Sequence, residues 1–295
     1  MNFKNLLWSA VAAITLALPP YLLFSATNNG AQSSLVRTVN VYLKSAYAHD
    51  YKKAYRLVSN RDRIVKAEEV YIQEKGPFSG FTLTVAEKLA DLIEIHQSGA
   101  FESNGATHVK FNVKLPDASS LSALLLDWDQ DKLNALSPQR QKDILAELDN
   151  LRRTGKLKFI EGEEELTLVK ENGLWRVWFD WAAGLRVQYN ATVPGDEIIQ
   201  AMPLNRETSV GANELFTVAY RVHNLSAHEI ATRIVHRVEP QELRQYLDLV
   251  ECALLLPVKL KPGEAREFSS TYMVRGDLPD GSKQVKVTYD FQVEK

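Results

Sequence analysis

The chain has 295 residues, of which 45% are hydrophobic and 24% charged, and its formal net charge at pH 7 is −2. This composition is typical of folded protein with enough residues for two domains of ordinary size. Lysine and arginine are scattered, so the sequence lacks the basic stripe that neutralises nucleic-acid phosphates, and we expect no nucleic-acid partner. The single cysteine, Cys252, excludes an internal disulfide.

An apolar segment opens the chain. Lys4 is the only charged side chain before Arg37, and residues 6–26 are almost wholly apolar. At about 1.5 Å per residue, this length crosses a hydrocarbon layer of roughly 30 Å. Phe24 stands where a cleavable signal needs a small residue, so the sequence favours a retained single-pass anchor over a signal peptide, although Pro19-Pro20 would bend the helix. The positive-inside rule then predicts a cytoplasmic N-terminus, with the rest of the chain periplasmic or otherwise extracytoplasmic.

Residues 1–32 are predicted to be anchor and spacer, and residues 33–185 an α+β domain that begins with helices. The first helix is indicated by apolar residues at three- and four-residue steps: Leu35, Val39, Tyr42, Leu43, Ala46 and Tyr47. A second helix is expected through Ala54, Leu57 and Val58, and a third over "KAEEVYIQEKG". The segment "TLTVAEKLADL" fits either a helix or the start of a strand.

Strands and one further helix follow. Asn104-Gly105 predicts a hairpin turn between two strands. Ser137, Pro138 and Gly155 have the positions of an N-cap, a first helical residue and a C-terminal stop. A last pair of strands turns at Asn172-Gly173 and is expected to finish on Trp175, Val177, Phe179 and Trp181. The acidic run "EGEEE" at 161–165 is interpreted as a solvated turn.

The element order, the helix pair "AHDYKKAYRLVS" and the closing strand "ENGLWRVWFDW" resemble a nuclear transport factor 2-like domain. The resemblance implies a curved sheet that wraps a helix and encloses a cone-shaped pocket. Tyr42, Tyr47 and Asp50 could line such a pocket, but core and helix-end roles explain them better. We expect no enzyme, because no acid, base and donor converge in the sequence. A buried carboxylate with a raised pKa beside a tyrosine would favour a catalytic interpretation.

Residues 196–295 have a different pattern, made of short alternating strands with polar turns. Clear alternation occurs at Phe216, Val218, Tyr220 and Val222, at Phe268, Ser270, Tyr272 and Val274, and at Val285, Val287, Tyr289, Phe291 and Val293. A weaker alternation includes Ile230, Ile234 and His236. Strands at this spacing over about 100 residues predict an antiparallel β-sandwich of immunoglobulin type. The segment "PQELRQYLDLVE" fits a short helix or a crossing loop.

This second domain resembles the CtaG family of copper-delivering cytochrome c oxidase assembly proteins. The shared features are Tyr220-Arg221-Val222 with Asn224, Val238-Glu239-Pro240, Tyr246-Leu247 ahead of Val250-Glu251-Cys252, Pro262-Gly263-Glu264, and the closing "VKVTYDF". The resemblance implies one N-terminal transmembrane helix, a sandwich outside the cytoplasmic face, and Cu(I) bound by a Cys-Phe-Cys-Phe sequence.

The copper sequence is changed in this chain. It reads Cys252-Ala253-Leu254-Leu255, so Leu254 stands where the family has its second cysteine. Cu(I) is a soft ion that takes two thiolates or comparable ligands, so half of the donor set is lost. Cys252 is the one predicted metal ligand, and the alternative is that it is a small buried apolar residue.

Two sources could restore the missing donor. The imidazoles of His223, His228 and His236 lie in the same domain, although their spacing favours surface or edge positions. A homodimer that brings two Cys252 thiolates together is the other source.

The sequence thus predicts a membrane-anchored, non-cytoplasmic assembly factor related to copper-delivery proteins, with a reduced or lost copper site. Its expected partner is a subunit of a copper enzyme such as a cytochrome oxidase. The alternative is an exported, metal-free binding or scaffold module that uses the cone pocket for a peptide or small ligand.

Overall fold

A computed structural model describes residues 29–193, 195, 198–252, 257–276, 278–279 and 281–294. The predicted anchor over 6–26 lies outside these residues. Among the helices that are described, none is long and apolar enough to cross a membrane. The chain divides into two compact units: Met1–Ser59 with Pro77–Trp178, and Asn60–Gly76 with Phe179–Lys295.

Within the described ranges the helices are α1 (Asn29–Tyr47), α2 (Tyr51–Tyr55), α3 (Asn60–Val65), α4 (Glu68–Lys75), α5 (Gly80–Ala90), α6 (Gln130–Asn134) and α7 (Pro138–Arg153). Short 3-10 helices cover Ala118–Leu121, Leu126–Trp128 and Gln241–Tyr246.

The strands are β1 (Glu94–Ser103), β2 (Ala106–Pro116), β3 (Phe159–Glu171), β4 (Leu174–Val177), β5 (Leu185–Thr192), β6 (Ile199–Pro203), β7 (Glu207–Val210), β8 (Leu215–Asn224), β9 (Ile230–Glu239), β10 (Leu247–Cys252), β11 (Val258–Leu260), β12 (Ala265–Val274) and β13 (Gln284–Glu294).

The first unit combines helices with an antiparallel sheet of order β1-β2-β3-β4. The predicted apolar stripe of α1 is confirmed, since Leu35, Val39 and Leu43 are buried. The predicted hairpin is also confirmed: Asn104 and Gly105 both have positive φ, as a two-residue type I′ turn requires. The segment that fitted a helix or a strand forms α5.

Helix α7 begins and ends where its sequence predicts. The Ser137 side chain accepts a hydrogen bond from the Arg140 amide, and Pro138 occupies the first turn. Gly155 follows the helix with φ +66°, the left-handed conformation that glycine adopts at low cost. Ile144 and Leu148 supply the buried face.

Two expectations about the end of the first unit are wrong. The acidic run at 161–165 is not a solvated turn, because it lies inside β3 and pairs with β2 in regular register. The last strand does not continue to Trp181, because β4 ends at Val177. The amides of Phe179 and Trp181 instead donate to the Asp62 carboxylate at 2.7 and 2.9 Å, within the second unit.

The second unit contains two sheets around one hydrophobic core. One sheet is antiparallel with order β10-β12-β8-β6, and the other has order β11-β9-β13-β5-β7. All pairs in the second sheet are antiparallel except β5 with β13, which run parallel. The strands predicted here are confirmed, and alternate residues of β8 and β13 face the shared core. The segment "PQELRQYLDLVE" forms a 3-10 helix followed by β10.

Helices α3 and α4 pack with the second unit, although the chain enters and leaves them from the first. Periodicity along the chain predicts α4 but not α3. Contacts between α4 and β8 show which sheet the segment covers. Asn60–Gly76 thus belongs to the second unit because of its tertiary contacts, although both neighbouring segments of the chain belong to the first.

Candidate functional site

Cys252 is the last residue of β10, which is an edge strand of its sheet. It lies opposite Ser270 of β12, and its sulfur accepts a hydrogen bond from the Ser270 hydroxyl at 3.1 Å. The side chain is half-buried and packs against the core between the two sheets. The thiol therefore points into the sandwich rather than away from it.

A β-bulge sets this orientation. Leu249 pairs with Tyr272 and Cys252 pairs with Ser270, with the register shift between Leu249 and Glu251. Residues three apart in a regular strand face opposite sides of a sheet, so the extra residue of a bulge is needed to turn both Leu249 and Cys252 inward. Val250 takes up the shift and is partly exposed.

Two buried tyrosines lie beside the thiol and join the two sheets. The hydroxyls of Tyr272, on β12, and Tyr289, on β13, are 2.7 Å apart and share a hydrogen bond. Burial raises the pKa of both phenols well above the usual range, and the nearby Cys252 sulfur adds to the effect. Both phenols therefore stay protonated and neutral at physiological pH.

His236 faces the same region from β9. It lies opposite Tyr289, and its ring centroid is 6.3 Å from the rings of both Tyr272 and Tyr289. Burial lowers the pKa of this imidazole, and the Arg244 charge lowers it further. The side chain is therefore neutral at pH 7, the form in which imidazole binds a metal. His236 is half-buried on a stretch of β9 that β11 does not cover, so it has the predicted edge position with its ring turned toward the two tyrosines.

The other two histidines do not join this site. His223 lies on β8 between core-facing Val222 and Asn224, so it occupies the opposite face of the sheet from the Cys252 side. His228 is exposed in the turn after β8, where its backbone carbonyl accepts a hydrogen bond from Asn224.

The donor set fits copper poorly. In the part of the chain that the structure describes, no group of three or more His, Cys, Asp or Glu side chains is placed to hold a metal ion. Leu254, predicted to stand where a second copper-binding cysteine would be, lies outside the described residues. One thiol and one neutral imidazole from opposite sheets, with two protonated phenols beside them, do not make a two-thiolate Cu(I) site.

The first unit contains a separate pair of titratable groups. The Tyr47 hydroxyl donates to the Glu164 carboxylate at 2.7 Å, and both side chains are half-buried. Burial raises the pKa of Glu164, and the Tyr47 hydrogen bond opposes that rise. Burial, followed by the Glu164 charge, raises the pKa of Tyr47 far above its ordinary value. Tyr42 is buried in the core, and Asp50 caps α2 through the Lys53 amide.

Glu164 is the residue that sequence reasoning missed. It lies opposite the fully buried Phe111 of β2, whereas Glu163 and Glu165 on either side of it are exposed. A period of two in "EGEEE" would have revealed this, because 161, 163 and 165 share one face of a strand and 164 takes the other.

The comparisons with known proteins concern the second unit and the end of the first. Residues 161–292 match the family model described as "Cytochrome c oxidase assembly protein CtaG/Cox11". Proteins named cytochrome c oxidase assembly protein CtaG from Brucella ovis and Brucella canis are 28% identical to this chain over 112 residues, which are 36% of this chain and 56% of each relative. The protein of the same name from Rhizobium meliloti is 23% identical over 112 residues, 36% of this chain and 57% of that protein.

The chain thus spans about half the length of the curated relatives it matches. Among solved structures, a FixG-related protein from Vibrio parahaemolyticus aligns with 33% of this chain and 94% of its own, at 7% identity and a TM-score of 0.20. A likeness at that score supports no argument about function. The C-terminal region of this protein is thus similar to CtaG proteins, and residues 161–292 match the CtaG/Cox11 family model.

Proposed function

We propose that this protein is a membrane-anchored, extracytoplasmic assembly factor related to the copper-delivery proteins of cytochrome c oxidase, with a reduced or lost copper site. The observation that carries the proposal is the family match over residues 161–292 together with a single core-facing thiol, Cys252, where the family resemblance implies two cysteines. In this proposal the second unit has the immunoglobulin-type topology and docks on a subunit of a copper enzyme.

The number of thiol ligands that Cys252 can supply decides whether copper binding is diminished or lost. The thiol of a single chain offers Cu(I) one strong donor, and a two-coordinate site needs another. We propose that any copper bound is shared by two chains, each contributing its Cys252. Copper is then a cargo held briefly and not a resident cofactor.

Anaerobic Cu(I) titration of the full chain in detergent, against a competing chelator, tests this proposal. We expect one Cu(I) per two chains, with sedimentation showing a dimer only when copper is present, and no binding by a Cys252→Ser variant. A Ser270→Ala variant is the matched control, because it keeps the thiol but removes its hydrogen-bond donor. Tight binding of one Cu(I) per monomer would contradict a site that is shared by two chains. Weak Cu(I) binding that is equal in wild type and Cys252→Ser would show that the copper site is lost.

One observation favours a second candidate function, an exported metal-free module that holds a peptide or small ligand in the first unit. Tyr47 and Glu164 place a phenol and a carboxyl of raised pKa on the inner face of the sheet. We propose ligand binding rather than catalysis, because the Tyr47 hydroxyl and the Glu164 carboxylate are already hydrogen-bonded to each other. In this proposal the first unit is a nuclear transport factor 2-like cone.

The stability of the protein against pH tests the state of Glu164. Because its folded pKa is raised above the unfolded value, the native state binds more protons between those two values. The contribution of Glu164 to the free energy of unfolding is therefore favourable at low pH. It declines as the pH rises from the ordinary glutamate pKa through the raised pKa of Glu164 in the folded state. We expect Glu164→Gln to be more stable than wild type at neutral pH, with the difference vanishing below about pH 4. Glu163→Gln, on the opposite face, is the control, and a Glu164→Gln protein less stable at neutral pH would refute the assignment.

The two candidate functions also differ in the cell. The assembly factor predicts association with a copper-enzyme precursor in membrane crosslinking and a growth defect under copper limitation when the gene is deleted. The binding module predicts neither. Complementation with Cys252→Ser and with Tyr47→Phe would show which unit carries the phenotype.

A further inference from the structure

Helix α3 has its charged side chains inside and its apolar side chains outside. Asp62 and Lys66, the residue that follows the helix, are 1% and 3% exposed, whereas Ile64 and Val65 are 87% and 40% exposed. A surface helix normally buries an apolar stripe and turns its charges to water. The hydrophobic effect therefore does not explain how α3 is oriented, and the contacts of its two buried charges must do so.

Asp62 fixes one side of the helix. Its two carboxylate oxygens accept hydrogen bonds from the amides of Phe179 and Trp181 at 2.7 and 2.9 Å. The backbone amide of Lys66 donates to the Asp62 carbonyl at 2.9 Å, so these two residues are one helical turn apart and their side chains share a face. This face is the one that meets the chain after β4.

Lys66 fixes the same side. Its ammonium lies 2.9 Å from Glu74 Oε2, 4.0 Å from Glu214 Oε1 and 4.3 Å from the ring centroid of Trp181. All three charged groups are buried, so separating them would leave an uncompensated charge in the interior. Rotation of α3 about its axis would break these pairs, and the helix is therefore held with its opposite side toward solvent.

Ile64 occupies that opposite side. It lies two residues from both Asp62 and Lys66, which is about 200° around a helix with 3.6 residues per turn. Among the large apolar side chains that the structure describes as exposed, Ile64 has the highest exposed fraction. Single exposed apolar residues are common and need no explanation. Here, however, the fold buries two charges to hold an isoleucine outward with Val65 beside it, and this indicates a contact surface.

Two arginines accompany this apolar pair. Arg61 is exposed three residues before Ile64, and Arg63 is half-buried one residue before it, where its guanidinium also donates to the Asn60 side chain. The acidic residues at 68–69 belong to the next helix, α4. The exposed side of α3 is therefore cationic around an apolar centre.

We propose that the exposed side of α3 binds the surface of a phospholipid bilayer, with Ile64 and Val65 at the boundary between headgroups and acyl chains and Arg61 on the lipid phosphates. Helices at membrane interfaces combine an apolar face with Lys or Arg in this way. A planar guanidinium also matches the geometry of phosphate oxygens. Ile64 projects from a convex helix, which fits a soft surface that it can enter better than a ligand that a pocket would enclose.

This inference rests on the proposed membrane anchoring. A helix of six residues with two apolar side chains binds a bilayer weakly by itself. An anchor in the same chain makes the contact intramolecular and raises the effective concentration of lipid, so a weak contact is enough. The second unit would then be held with α3 against the membrane.

Quenching by lipid of a fluorophore at position 64 tests the proposal on the full chain reconstituted in vesicles. In a Cys252→Ser background, which removes the only native cysteine, Ile64→Cys is labelled with an environment-sensitive fluorophore. The vesicles contain phosphatidylcholine with or without phosphatidylglycerol, together with a spin-labelled lipid. We expect a blue-shifted emission that the spin label quenches, most strongly with phosphatidylglycerol. Arg61→Glu should reduce the quenched fraction about fivefold or more, the effect of removing one basic side chain from an anionic surface.

Ala227→Cys, labelled in the same way, is the matched control. Ala227 is exposed in the turn after β8, whereas α4 contacts the other end of β8 through the Lys75 hydrogen bond to the Leu215 carbonyl. We expect the label at position 227 to be neither shifted nor quenched.

Three results would overturn the proposal. Equal quenching at positions 64 and 227, in a protein that floats with the vesicles, would show that the chain is anchored but that α3 does not touch lipid. A protein that does not float with the vesicles would refute the membrane anchoring on which the inference rests. A blue shift in native membranes that is absent from vesicles of pure lipid would assign the surface to a protein partner.

Discussion

At the scale of single residues, the environment of Cys252 differs from that of an exposed metal-transfer thiol. Its sulfur accepts a hydrogen bond from Ser270 and lies against the bonded phenols of Tyr272 and Tyr289. Copper exchange at an inward-facing edge residue requires access along the rim of β10. The reduced site proposed above therefore depends on a second chain reaching that rim.

The phenol pair can be tested by a double-mutant cycle. Tyr272→Phe or Tyr289→Phe alone removes the bond between the two hydroxyls, and we expect each to lower the free energy of unfolding by about 1–3 kcal/mol. The double variant should lose less than the sum, because this bond is lost only once. Urea denaturation measures all four proteins. Strict additivity would show that the two hydroxyls do not depend on each other.

At the scale of elements, the short helices α3 and α4 are held by side-chain bonds to the chain that follows β4. Asp62 of α3 is 1% exposed and accepts the amides of both Phe179 and Trp181. These bonds hold the chain just after the end of β4. They also position Trp181, whose indole N–H donates to the Glu214 carboxylate. One carboxylate thus positions the start of the second unit.

Replacing this carboxylate should be costly. Asp62→Asn turns one of the two acceptor oxygens into a donor that faces an amide, and we expect a loss of about 2–3 kcal/mol in the free energy of unfolding. Chemical denaturation followed by tryptophan fluorescence provides the measurement. Asp131→Asn, in the first turn of α6, is the control and should stay within about 0.5 kcal/mol of wild type. A small effect at Asp62 would mean that the backbone amides find other acceptors.

At the scale of the whole molecule, the chain passes between the two units three times, at residues 59–60, 76–77 and 178–179. A single cut between 178 and 179 therefore would not yield the complete second unit. The family match over residues 161–292 includes parts of both units, and the boundaries at 33–185 and 196–295 stay a prediction.

The predicted anchor also belongs to this scale. If residues 6–26 span the membrane, the full chain should stay in the membrane pellet after carbonate extraction, and its intact mass should include Met1. A chain that begins at residue 33 is the control and should be released. Recovery of a processed protein lacking the apolar segment would show that the segment is a cleaved signal.

The sequence by itself determined those features that depend on local chemistry and periodicity. These include the stripe of α1, the caps of α7, the turn at Asn104-Gly105 and the alternating strands of the second unit, because such patterns act over a few residues. The presence of a single cysteine is likewise visible in the sequence alone.

Tertiary structure decided the features that depend on contacts between distant residues. The bulge beside Val250 turned Cys252 inward, and the phase of β3 set Glu164 against Tyr47. The capture of Asn60–Gly76 by Glu214 and Trp181 involves residues more than 100 positions away, which no local pattern specifies. The physical reason is that burial and charge pairing are settled only when the chain is folded.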